Sequence, residues 1–383
     1  MNRIAERTRN IPPFIVMDVL ERAHELARQG RDIVHMEIGE PDFPTPACIC
    51  EAAKEAISRG ETHYTHSLGL LELREAICEH YHVKYDVKID PDRILVTSGT
   101  SPALFMVFAA LLEAGEEVIM TDPHYPCYPN FAEFLGARPS RVRGYEEDGF
   151  QLRPEAVKKN ISSKTRAILI NSPSNPTGNL LSKDRMAEIA QLGPPIISDE
   201  IYHGLVYGET EHSILEFTDN AFVLNGFSKN FAMTGWRLGY LIAPPEFIRP
   251  MQKVQQNFFI SAGSVSQWAG VAALKHAQKD VERMRAIYDE RRKYMIKRIR
   301  ELGFGVSVEP AGAFYILANA RHLAESSYDL AFEILEKANV GVSPGIDFGK
   351  NAEGYLRFSY ANSLENIKEG LNRIERFLKS HGR

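Results

Sequence analysis

The sequence predicts an α/β protein: a large domain with a mostly parallel seven-stranded sheet sandwiched by helices, plus a smaller α+β domain. Three observations predict it. Seven short β-rich runs lie between residues 93 and 243, several separated by helical patterns. Strands alternating with helices fold into a mostly parallel sheet covered on both faces. Near residue 264 the pattern changes to a long helical stretch followed by strands and helices in a different order. The 383 residues are 44% hydrophobic and 25% charged, enough apolar material for a large core.

Taken in order, the chain opens on MNRIAERTRNIPPFIVMDVL. Its apolar run is short, holds two prolines and ends at Asp18, unlike a signal peptide. The expected strands are RILVTSG (93–99), EEVIMTD (116–122), RPSRVRG (138–144), TRAILINS (165–172), PPIISDE (194–200), AFVLNGF (221–227) and RLGYLIA (237–243). PALFMVFAALLEA, PNFAEFLG and KDRMAEIAQLG are helix candidates between them. Only nine residues separate the last two strands, too few for a parallel crossover, so one of them runs antiparallel. The helical stretch from Ser264 to Leu302 is long enough to require a bend or break. The tail then reads as a strand pair (FGVSV, AFYILAN), a helix (YDLAFEILEKAN), a strand (GYLRFSYA) and a last helix (SLENIKEGLNRIERFLK). The stretch IVHMEIGEPDFPTP precedes the large sheet and is expected to join the tail. The expected division is residues 1–45 as N-terminal arm and part of the small domain, 46–280 as the large domain, and 281–383 as the small C-terminal domain.

Charge narrows the function. The 45 basic and 50 acidic residues give a net charge of −5 with no basic cluster, so neither nucleic acid nor an anionic membrane surface is an expected partner. The longest apolar run, residues 103–112, is half the length of a membrane span. Cys48, Cys50, Cys78 and Cys127 lack zinc-ligand or redox spacing and read as thiols of a reducing compartment, which places the protein in the cytoplasm. No metal site is expected. Trp236 and Trp268 read as core or interface aromatics, and His124 and His203 as structural histidines.

Ligands of open α/β sheets bind beyond the carboxyl ends of the strands, so the residues there are the candidates. After RILVTSG come Thr100, Ser101 and Pro102, with Pro102 at the first helical position and Ser101 as cap. Such a helix start can cradle a phosphate, although capped helices are common. After TRAILI comes a turn holding Asn175, bland by itself. After PPIIS come Asp199 and Tyr202; a carboxylate there is served by a salt bridge as well as by catalysis. After AFVLNGF come Ser228 and Lys229, preceded by seven uncharged residues. A lysine so placed is either an exposed loop residue or an amine with a depressed pKa. Together these groups suit one ligand, pyridoxal phosphate, which needs a lysine, an acidic partner for its ring nitrogen and a phosphate site.

The chain resembles the fold type I, class I/II pyridoxal-phosphate-dependent aminotransferases, the aspartate aminotransferase family. The resemblance spans nearly the whole chain. It rests on GEPDF (39–43), HYTHSLGLLELR (63–74), NSPSNPTG (171–178), SDEIY (198–202), SKNFAMTGWRLGY (228–240) and YLRFSYA (355–361), in the family's order. It implies that Lys229 is the Schiff-base lysine and proton shuttle. Asp199 would pair with the ring nitrogen, and Asn175 and Tyr202 with the ring oxygen. Thr100, Ser101, Ser228 and Arg237 would bind the phosphate. Tyr125 would stack on the ring, and Tyr64 would reach the phosphate of a neighbouring subunit in a homodimer with shared sites. Arg357 would grip the substrate α-carboxylate beside Gly39.

The family's second carboxylate-binding cations are missing from their places. NFFISAGSVSQW (257–268) holds no Arg or Lys, and Ser101 stands where one branch has lysine. The apolar segment Ile11–Met17 could wall the pocket. A neutral or aromatic donor is therefore expected, with 2-oxoglutarate or pyruvate as acceptor; Arg22, Arg74 or another cation from elsewhere could still supply a second anion site. A carbon–sulfur β-lyase or an aminocyclopropane carboxylate synthase shares the same principal residues. A regulatory cofactor-binding protein would need an added DNA-binding domain, and a nicotinamide enzyme a G-x-G-x-x-G turn absent from the early strands.

Overall fold

All seven expected strands form, and they form one sheet. In the computed structural model, which describes residues 4–382, the strands are β1 (Val34–His35), β2 (Ile94–Thr97), β3 (Glu117–Asp122), β4 (Arg138–Arg143), β5 (Thr165–Asn171), β6 (Ile196–Asp199), β7 (Ala221–Gly226), β8 (Gly239–Ile242), β9 (Tyr315–Asn319), β10 (Val340–Gly341), β11 (Ser343–Pro344) and β12 (Tyr355–Ser359). The large sheet has the order β2-β8-β7-β6-β5-β3-β4. Only β8 runs antiparallel, between β2 and β7. Its central strands are apolar on both faces because both faces are covered. Val96, Ile168, Ile170, Ile196 and Val223 point into one core layer, and Leu95, Leu169, Ile197, Phe222 and Leu224 into the other.

One consequence of this topology positions the site. The strands β2, β3, β5, β6 and β7 all end at the same edge. Because β8 is reversed, its beginning lies there too, which brings Arg237 beside residues that follow the other strands.

A third apolar core joins β9, β12 and the helices Gln278–Glu301, Ser327–Ala338 and Leu364–Ser380. The N-terminal stretch packs against it: β1 pairs in parallel with β10, and Val34 and Met36 are buried there. The long helical stretch breaks at Ala277, between the helices Ser264–His276 and Gln278–Glu301.

Two expectations need correction. FGVSV (304–308) makes only a single bridge, between Gly305 and Asn319, rather than a strand. The carbonyl of Val306 instead accepts from the Arg300 guanidinium at 3.0 Å, and the Ser307 hydroxyl donates to Glu146, so the segment leaves the sheet edge. Ser101 is not a helix cap. Gly99 is, with φ of +93°, and the helix Thr100–Leu111 begins right after it. Glycine adopts this left-handed backbone without the steric cost of a Cβ, which turns the chain earlier than the serine would. The Ser101 hydroxyl is left uncommitted to capping.

Candidate active site

A cavity of about 410 Å³ opens at the carboxyl edge of the sheet. It brings together Gly39, Thr100, Ser101, Tyr125, Asn175, Asp199, Tyr202, Ser228, Lys229, Arg237 and Arg357. Tyr64 does not line it and is 86% exposed.

Lys229 follows β7 and is half-buried at the cavity floor. Its amine donates to the carbonyl of Gly39 at 2.7 Å and has no carboxylate in ion-pair range among the described residues. Burial pulls its pKa down to about 8; Glu40 opposes the shift, and Arg357 and Arg237 add to it. A Cβ at Gly39 would lie 2.1 Å from the Tyr315 hydroxyl oxygen, so any larger residue would have to displace that ring.

Asp199 ends β6 and is buried. One carboxylate oxygen accepts from the Ile201 amide at 3.1 Å, the other from the Tyr128 hydroxyl at 2.6 Å. Burial raises the carboxyl to about 6, against the pull of these two donors and of Lys229. In the protein without a ligand, the charged carboxylate is therefore a cost at neutral pH. The sign follows: the stability tied to the protonated acid is present below its ordinary value near 4 and is lost as pH rises through about 6. Asp199→Asn apoprotein is expected to match wild type at pH 4 and to exceed it above pH 6 by on the order of 2 kcal/mol. Urea denaturation at both pH values checks this. Equal stability at the higher pH would contradict it.

Arg357 lies in β12, only 2% exposed. Its guanidinium donates to Asn175 Oδ1 at 2.9 Å, to the carbonyl of Glu37 at 2.5 Å and to Ser343 Oγ at 3.1 Å. It lies over the rings of Tyr315 and Phe348. No carboxylate pairs with it among the described residues, and its Nε has no partner. A buried cation without a counter-ion is costly unless a ligand supplies one.

Arg237 is exposed on the cavity wall. Its guanidinium lies so close to Gly99 that a Cβ there would be 2.6 Å away. It therefore stands beside the amino end of the helix Thr100–Leu111, with Thr100, Ser101 and Ser228 on the same cavity. An unneutralised guanidinium, hydroxyls and a helix amino terminus form a donor set suited to a phosphate. With the Lys229 amine and the buried Asp199 carboxylate, the residues present fit pyridoxal phosphate.

The sequence reading missed several lining residues. Tyr128, in the helix Cys127–Phe134, stands three residues after Tyr125, which precedes that helix, and the two rings meet edge to face. Tyr315, whose hydroxyl is 2.9 Å from that of Tyr202, had no local signal. His124 and His203 are buried outside the cavity: His124 Nδ1 faces a backbone carbonyl, and His203 bonds Tyr85 at 2.6 Å. Among the described residues no cluster suits a metal ion, and no helix is long and apolar enough to cross a membrane.

Residues 31–374 match the family model for aminotransferase class I and II. The chain belongs to that family. Among its relatives, a (5-formylfuran-3-yl)methyl phosphate transaminase of Methanocaldococcus jannaschii is 42% identical, over 98% of this chain and 99% of its own length. Aromatic-amino-acid aminotransferase 2 of Thermococcus litoralis is 38% identical, over 94% of this chain and 95% of its own. The structure of aspartate aminotransferase from Thermus thermophilus with maleate is similar at a TM-score of 0.94 and 37% identity, covering 98% of this chain and all of that one. As a class I/II aminotransferase of fold type I, the protein uses pyridoxal phosphate and transfers amino groups between amino acids and 2-oxo acids.

Proposed function

We propose that this aminotransferase takes a neutral or aromatic L-amino acid as donor and returns the amino group to 2-oxoglutarate or pyruvate, in the cytoplasm. The observation that carries the reading is Arg357: a buried guanidinium without a carboxylate partner among the described residues, facing Lys229 across a cavity whose outer wall is apolar. Phe14, Val16, Met17 and Leu20, from the start of the helix Ile15–Arg28, form that wall with Ile38. The two cations named above as candidates for a second carboxylate are engaged elsewhere. Arg22 pairs with Glu25 and Glu336, and Arg74 with Asp92 and the carbonyl of Pro91.

Bound pyridoxal phosphate supplies an aldehyde for the amino group and a ring that accepts electrons. Asp199 would hold the ring nitrogen, and Asn175 and Tyr202 the ring oxygen. Thr100, Ser101, Ser228 and Arg237 would hold the phosphate, with Tyr125 on the ring face. Arg357 grips the α-carboxylate through a bidentate pair beside Gly39 and so aims the substrate Cα. The Lys229 amine, its pKa lowered by burial to about 8 and so more readily deprotonated than an ordinary lysine, takes the Cα proton and returns it. Tyr64, exposed in a single subunit, would reach the partner's phosphate in a homodimer with shared sites.

The test is a titration of the holoenzyme with single L-amino acids, followed through its visible absorption. Leucine, phenylalanine or alanine should bleach the band at lower concentration than aspartate, and a 2-oxo acid should restore it. A large preference for aspartate would overturn the donor assignment and favour the specificity named for the Thermus relative. Pyruvate released from cystathionine without an acceptor would instead mark lyase chemistry.

A further inference from the structure

The carboxylate of Glu37 is fully buried, yet the role proposed for the cavity makes no use of it. Among the described residues no lysine or arginine pairs with it. One oxygen meets His35 Nδ1 at 2.6 Å, and the other has no partner. The fold makes room for it: Gly341 on β10 faces it, and a Cβ there would lie 2.1 Å from Glu37 Oε2. For packing alone, an apolar side chain would fill this position at lower cost than a carboxylate with one hydrogen bond.

The backbone of Glu37 shows what the side chain serves. Its carbonyl accepts from Arg357 at 2.5 Å and from Ser343 Oγ at 3.1 Å. Two residues on, the Gly39 carbonyl accepts from Lys229 at 2.7 Å. Met36 is fixed on both sides, its amide to Gly341 and its carbonyl to Ser359. We infer that Glu37 and His35 form a positioning pair: the side chain, seated against Gly341 and held by His35, sets the peptide whose carbonyl orients Arg357. This rests on the reading of Arg357 as the substrate-carboxylate residue. His35 is half-buried, and its hydrogen bond to Glu37 raises its pKa above the ordinary imidazole value. Glu37 is the charged group acting on it. The other titratable neighbour is His24, from the helix Ile15–Arg28, with ring centroids 5.9 Å apart. Asn362 touches only its backbone carbonyl. The ionic pair is thus intact below the raised His35 value and weakens as pH rises through it.

The test is kinetic, on holoenzyme. Glu37→Gln should raise KM about tenfold for donor and acceptor alike, with kcat changed less than about twofold and cofactor content unchanged. In an Arg357→Lys background the same substitution should add little, since the pair acts through that arginine. Should Glu37→Gln fail to fold, His35→Gln replaces it: wild-type KM should rise with pH through the His35 titration, which histidine NMR locates, and the variant's KM should be flat there. An unchanged KM with only a lower Tm, or full additivity with Arg357→Lys, would overturn the pair. If Arg357→Lys alone leaves both KM values unchanged, the reading of Arg357 fails instead.

Discussion

Lys229→Ala should lower transamination by on the order of 10⁴-fold or more, because the substitution removes the amine and the proton carrier together. The other residues lining the cavity are not substitutes. Arg237 and Arg357 carry guanidinium groups, which are hydrogen-bond donors without an acceptor site for a proton. Asp199 is tied by Tyr128 and the Ile201 amide at the end of its strand. The variant should still fold, since Lys229 makes one hydrogen bond and no ion pair among the described residues. It should lack the visible band of the holoenzyme after cofactor is added and excess removed. The wild-type apoprotein offers a companion measurement. Its amine attacks only when unprotonated, and burial has brought its pKa to about 8. Cofactor uptake should therefore quicken with pH and level off above about 8, well below the range of an ordinary lysine. A rate still climbing at pH 10, or a Lys229→Ala variant with measurable turnover and a bound chromophore, would refute the assignment.

Arg357→Gln should lower kcat/KM for the amino donor and the 2-oxo acceptor by similar factors, because both present a carboxylate to the same guanidinium. Removing one member of a buried charge pair costs about 2–5 kcal/mol, roughly 30-fold to several thousand-fold in kcat/KM. Stability should respond far less. Loss of the guanidinium relieves a buried cation that has no counter-ion among the described residues, while Asn175 Oδ1 and the Glu37 carbonyl lose a donor. These changes oppose each other, so the apoprotein Tm should stay within about 5 °C of wild type. A loss confined to one substrate would show that Arg357 reads something other than the shared carboxylate.

Six of the seven strands of the large sheet were legible because strands covered on both faces are written as short apolar runs, and such runs are a local property; β4, polar and at the sheet edge, is the exception. The polar residues that follow them were legible as a site for the same reason, once a parallel sheet was expected to gather its strand ends on one edge. Even Arg237, which precedes its strand, falls into place because nine residues are too few for a parallel return.

What only the tertiary structure decided is which side chains meet. Arg22 and Arg74 remained possible anion sites until their carboxylate partners were seen, and Glu336 lies more than 300 residues from Arg22. FGVSV reads as a strand, but a guanidinium took the carbonyl that a ladder would have used. β10 and β11, two residues each, are too short to show any periodicity. Tyr315 and Glu37 carried no motif, and both bear on the site through contacts with residues far away in the chain. The apolar pattern, read locally, was enough to predict the sheet and the edge where the cavity opens. Whether a buried charge there is neutralised depends on long-range contacts made only when the N-terminal stretch folds back onto the C-terminal third.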